Sequence, residues 1–187
     1  RDHWGVKSNP LSRLQIKVSV MVNEQRDPFS MEQLQSIFNA PIYAGCKSTR
    51  GWRQVGDLIP RHSGRFWLPV LGLYTGGRAN ELAQIYVDDV REEGGVVGLD
   101  ITDKRSDQRL KNPGSRRFIP LHPHLIKMGF GEHVDNMRSA GQDRVFPDIE
   151  LAPNGYYSTY VTRWFNDSLL PSINSKTDII CLSKTKH

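Results

Sequence analysis

Apolar positions along this chain change spacing several times, and each change marks an element. Between residues 14 and 22, Leu14, Ile16, Val18, Val20 and Val22 alternate with polar residues, the period of an extended segment rather than a helix. Pro10 and Pro28 bracket this stretch, so residues 1–28 read as a linker or the end of an upstream domain. Ser30-Met31-Glu32-Gln33 has the S-x-x-Q form of a capping box. Met31, Leu34, Ile37 and Phe38 follow at helical spacing, which predicts a helix over 31–39 ended by Pro41. Residues 41–64 are rich in Gly, Ser, Arg and Pro and read as a loop with at most one short helical turn. A loop of that length inside a compact domain marks function or an insertion. Helices are expected over 65–75 and 78–85. Gly94-Gly95 marks a turn, and Val96 to Ile101 a strand. Asn112-Pro113-Gly114 is a turn signal, and Ser115 to Leu121 reads as a returning strand. The two strands make an antiparallel hairpin or small sheet with Lys111 near its tip. Further helices are expected over 123–130, 132–140 and 156–170, with a short extended piece at 144–147. The stripe Tyr160, Trp164, Phe165, Leu169 on the last helix reads as core rather than as a base-stacking platform. The pattern as a whole gives a mixed α+β, mainly helical domain, with helices packed around a small antiparallel sheet.

The chain is organised around Phe66 to Val90, F-W-L-P-V-L-G-L-Y-T-G-G-R-A-N-E-L-A-Q-I-Y-V-D-D-V. An apolar, aromatic run climbs to Thr75-Gly76-Gly77, delivers Arg78 and continues into an amphipathic segment with Glu81, Leu82 and Ile85. The glycines let the backbone turn tightly or approach a ligand closely. Three positions separate Arg78 from Glu81, so one helical face can carry both and the carboxylate can orient the guanidinium. The plainer reading is a core helix with a structural Arg–Glu pair.

Composition narrows the classes. With 187 residues and 37% apolar content, the chain can hold one moderate domain with a core. No run approaches the roughly 18 apolar residues of a membrane span. The N-terminus has no signal-peptide apolar region and no initiator Met, so the chain is expected to begin partway through a longer protein. Cys46 and Cys181 lie far apart, and the six histidines form no metal-ligand spacing, which fits a reducing cytoplasm and no metal site. Net charge is +5, with a pI near 9.3. Lys104, Arg105, Arg109, Lys111, Arg116 and Arg117 stand against Asp107 alone between residues 104 and 117. That local excess equals the excess of the whole chain and points to a polyanion, nucleic acid first. A solvated basic loop is the alternative.

Two boxes carry a family resemblance. T-G-G-R-A-N-E-L resembles the T-G-x-R-x-x-E-L box of the tyrosine recombinases, the phage integrase family. K-N-P-G-S-R-R-F-I-P-L-H resembles that family's hairpin pattern, K-T-x-x-S-R-R-x-(I/V)-P-L. The entry stretch P-F-S-M-E-Q-L-Q-S-I-F, and R-V-F-P followed by an aromatic helix, are weaker matches. The resemblance spans residues 28–170. It implies site-specific DNA integration and recombination in a bacterium, phage or mobile element, by strand cleavage and rejoining through a 3′-phosphotyrosine, with no metal or other cofactor. Carried over residue by residue, Arg78 is the first catalytic arginine, Glu81 its brace and Lys111 the catalytic lysine. Arg116 and Arg117 are expected to contact phosphates, one of them more readily than the other because they alternate across a strand.

The boxes that follow in the family, an H-x-x-R and then a tyrosine nucleophile, do not follow the aromatic helix here. Tyr156, Tyr157 and Tyr160 come too early in the order to be that tyrosine. Residues 29–187 are therefore expected to be a partial catalytic domain that binds double-stranded DNA, does not recombine it alone and self-associates through uncovered apolar surface. The alternative from another class is a non-catalytic DNA-binding or interaction module.

Overall fold

The computed structural model describes residues 28–173, and the expected alternation at 14–22 and the tail at 181–187 lie outside them. Helix α1 is Met31–Phe38. Its capping box is formed as the sequence predicts: the Ser30 hydroxyl accepts from the Gln33 amide (3.2 Å), and the Gln33 side chain accepts from the Ser30 amide (2.8 Å). Pro41 does not simply end that helix. It opens a one-turn helix α2, Pro41–Ala44, where a proline's missing N–H and fixed φ cost nothing. The rest of the predicted loop is not featureless, because Cys46 makes bridge pairs with Val55 and Leu58.

Helix α3, Gly64–Thr75, is the centre of the molecule. It accommodates Pro69 at the loss of one backbone bond. Trp67 and Leu71 are fully buried and Phe66 and Val70 nearly so. Each such side chain contributes on the order of 1.5–3 kcal/mol by leaving water. Trp67 meets Phe66 and Phe130 edge-on, with centroids 5.0 and 5.1 Å apart. Its indole N–H donates to the Arg61 carbonyl. Helix α4, Ala79–Ala83, is shorter than expected, because Arg78 caps it rather than joining it and Gln84 closes it.

Three antiparallel strands follow: β1 (Val90–Glu93), β2 (Val96–Ile101) and β3 (Arg117–Pro120), in the order β1-β2-β3. Strand β1 is not legible in the sequence, because Arg91, Glu92 and Glu93 are an exposed polar run without alternation. It pairs with β2 across the Gly94-Gly95 turn, both glycines at positive φ, with Glu93 opposite Val96. The expected pairing of β2 with the returning strand is present, with Ile101 opposite Arg117. Their connection, 102–116, is a long excursion folded against the helices rather than a tight turn, and a 3-10 turn at Pro113–Ser115 leads back into β3.

Helices α5 (Pro123–Lys127) and α6 (Phe130–Ser139) pack Leu125, Phe130 and Val134 into the core. The final expected helix is three consecutive pieces: α7 (Ser158–Trp164), a π turn (Phe165–Leu169) and α8 (Leu170–Ile173). Trp164, Phe165 and Leu169 are core, as the stripe predicts, whereas Tyr160 is exposed. Among the described residues, no helix is long and apolar enough to cross a membrane.

Candidate phosphate-binding site

The turn between α3 and α4 sets the site. Gly76 caps α3 at φ 62°, a left-handed conformation that any Cβ would strain. Gly77 serves differently: a Cβ there would meet the Leu82 side chain at 2.8 Å, so the chain can pass this close only without one. The Thr75 hydroxyl donates back to the Leu71 carbonyl (2.6 Å) and accepts from the Gly77 amide (3.1 Å), which fixes the bend.

Arg78 leaves that bend beside a buried carboxylate. The Glu81 side chain is 2% exposed, and both its oxygens are engaged. Oε1 accepts from Arg78 Nη1 at 2.6 Å; Oε2 accepts from the Arg78 amide at 3.1 Å and from Arg117 Nη2 at 2.9 Å. The two guanidiniums remain open to solvent, with Arg78 52% and Arg117 37% exposed at the side chain. Ser115 ties them together: its hydroxyl accepts from Arg78 Nη1 (3.2 Å) and its carbonyl from Arg117 Nη1 (2.8 Å). Burial alone would raise the Glu81 carboxyl. The hydrogen bonds from Arg117 and Arg78 outweigh it and hold the group below its ordinary range. One negative and two positive charges leave a net cationic cradle with two partly exposed guanidiniums, a charge balance suited to an oxyanion such as phosphate.

Of the residues predicted for this site, the structure brings together Arg78, Glu81 and Arg117. Arg116 points elsewhere and pairs with Asp103 at 2.5 Å. That separation follows from alternation, and it settles which neighbour faces Arg78. Lys111 is exposed and makes no ion pair among the described residues. Ser115 was legible only as a letter of the S-R-R run; nothing in the sequence marks its hydroxyl as the link between the arginines.

The excursion 102–116 is held at many points before Lys111. Gln84, itself buried, accepts from the Arg109 amide (2.8 Å) and donates to the Thr102 carbonyl. Gln108 donates to Asp89 (2.7 Å). Asp107 Oδ2 accepts from the hydroxyls of Tyr86 (2.6 Å) and Tyr157 (2.7 Å) and pairs with Arg144 (3.3 Å). The Arg144 guanidinium lies 3.5 Å from the Tyr157 ring centroid. The sequence does not reveal this clamp because its members are far apart in the chain; R-V-F-P is only a weak motif there. Burial, then the Asp107 bond, pushes the Tyr157 hydroxyl up to about 12 and raises Tyr86. Among the described residues, no group of three or more His, Cys, Asp or Glu is placed to hold a metal ion.

Compared with known protein families, with curated proteins and with solved structures, the chain matches none.

Proposed function

We propose that this chain binds duplex DNA and carries the first-arginine and lysine part of a tyrosine-recombinase-type catalytic centre. The observation that carries the reading is the buried Glu81 carboxylate held between Arg78 and Arg117, two guanidiniums otherwise open to solvent. The T-G-G-R-A-N-E-L and K-N-P-G-S-R-R-F-I-P-L-H boxes, in that order, support the family. In this chemistry a phosphorus–oxygen bond to a tyrosine forms as the bond to the 5′-oxygen breaks, and the leaving oxygen takes a proton. Charge gathers on the non-bridging oxygens, where Arg78 and Arg117 place rigid, permanently charged donors. Lys111 stands on the same excursion as Ser115 and is the group to deliver the proton. Tyr157 is no nucleophile: its raised hydroxyl is committed to Asp107. The assigned role is phosphate capture and leaving-group protonation, without metal or cofactor, and not strand cleavage by this chain alone.

Fluorescence anisotropy of a 20-base-pair duplex with increasing salt tests the reading. Affinity is expected to fall steeply with salt, and Arg78→Gln or Arg117→Gln each to lower the slope of log K against log salt by about 1. Lys111→Ala is expected to change affinity less than about threefold, because its role lies in the transition state. Binding that does not depend on salt, or on either arginine, overturns the proposal. A covalent adduct on a nicked suicide duplex overturns the assignment of the tyrosines.

A further inference from the structure

We infer that residues 47–65 form a second cationic surface, which takes backbone phosphates of the same duplex at the opposite end of α3 from Arg78. The inference rests on the DNA reading of the Arg78 cradle. Lys47, Arg50, Arg53, Arg61 and Arg65 fall in this segment against one acid, Asp57. In the segment that sequence charge singles out, 104–117, much of the positive charge is compensated within the fold. Lys104, Arg105, Arg116 and Arg117 pair with Asp100, Asp88, Asp103 and Glu81. Among the described residues, none of the five cations of 47–65 makes an ion pair. Asp148, an acid in contact with this region, turns its carboxylate onto the Gly64 amide and the Ser63 hydroxyl. Among the described residues, a cluster of cations without ion pairs therefore falls in a stretch that reads from the sequence only as loop.

Several contacts hold this segment in place. Thr49 Oγ1 and His62 Nε2 lie 3.2 Å apart, which ties the stretch around Arg50 to the stretch around Arg61 through their neighbours' side chains. Arg53 stacks on Trp52 at 4.7 Å and Arg65 on Trp164 at 5.5 Å, and the two indoles meet edge-on at 5.3 Å. One aromatic pair thus holds two guanidiniums in place, which reduces the side-chain ordering that phosphate binding must otherwise impose.

The chemistry selects the partner. Trp52 and Trp164 are only 6% and 7% exposed, so neither offers a base-stacking face to a single strand. Nor can they anchor a membrane interface, where such rings lie at the headgroups. What remains outward is backbone-reading charge, as duplex binding requires. Helix α3 has twelve residues, about 18 Å of rise. That is half of the roughly 34–36 Å turn of a duplex, so one DNA molecule can reach both ends of α3.

The test uses the full chain and the same 20-base-pair duplex between about 50 and 200 mM salt. The triple variant R50Q/R53Q/R61Q is expected to bind roughly tenfold more weakly, with the salt slope lowered by about 2–3, while R50K/R53K/R61K keeps the slope. Arg50 stacks on no ring, so R50Q alone is expected to lower the slope by about 1 without disturbing the fold. An unchanged slope in R50Q and the triple glutamine variant, with the unaltered chain still binding, overturns this surface and leaves the Arg78 reading intact. So does loss of the slope in the lysine variant, which would exclude charge as the cause. No duplex binding by the unaltered chain overturns both readings. Tighter binding to phosphatidylserine vesicles than to duplex, abolished in R50Q, would reassign the surface to a membrane.

Discussion

Glu81 holds three donors on two oxygens, and that arrangement admits a direct test. Replacing it with the isosteric Gln puts an amide N–H₂ against a guanidinium and removes the carboxylate charge that, among the described residues, pairs with both Arg78 and Arg117. Glu81→Gln is expected to cost about 1–3 kcal/mol, the range for a buried polar group left unsatisfied, read as a lower urea midpoint at pH 7. The folded carboxyl titrates below its ordinary value. Its contribution is therefore present above the unfolded value of about 4.3 and lost as pH falls through the folded one. The deficit of the Gln variant should accordingly shrink in acid. A Gln variant as stable as the unaltered chain at pH 7 would show that Glu81 does not anchor the arginines.

At the scale of elements, local signals were legible and long-range ones were not. The capping box at Ser30 and the αL glycine at the end of α3 are short-range chemistry, and both ends form where the residues place them. The Arg78–Glu81 pair also lies within one turn and could be read directly. Strand β1 could not, since Val90–Glu93 has no periodicity and exists only because β2 offers it an edge. The break of the last helix at Phe165–Leu169 has the same origin: the aromatic stripe announces a buried face, not the π turn that delivers it. For the site, the residues between Lys104 and Arg117 could be counted from the sequence but not sorted. Only packing shows that Arg117 reaches Glu81 while Arg116 turns to Asp103.

For the whole molecule, acid stability depends on a histidine that the sequence leaves unremarked. His133 on α6 is buried, stacked between Trp67 (6.0 Å) and Phe146 (5.7 Å), and its Nε2 lies 2.8 Å from the Val145 carbonyl. Burial lowers its proton affinity, against the opposing pull of that carbonyl and of Asp148. The folded chain thus resists a proton that the unfolded chain accepts, so this stability is full above about pH 6.5 and declines as pH falls below it. Urea midpoints between pH 8 and 5.5 are expected to fall in that order, and less steeply in His133→Gln. Equal slopes in the two proteins would assign the decline to other groups.

The Asp107 clamp divides the excursion 102–116 into two mechanical parts. Up to Leu110 the segment is fastened, by the Arg109 amide to Gln84 at the end of α4, by Asp107 to Tyr157 just before α7, and by Leu110 against the core; beyond it, the exposed Lys111 makes no ion pair among the described residues. Lys111 therefore rides on a short flap that begins after Leu110, and not on a loop that opens as a whole. Limited trypsin digestion reads that difference, because cleavage needs local opening of the chain. Within 102–116 the Lys111–Asn112 bond is expected to be cut well before those after Arg105 and Arg109. In Asp107→Asn, which weakens that fastening, all three should be cut at similar rates. Equal cutting in the unaltered chain would mean that the flap is not there.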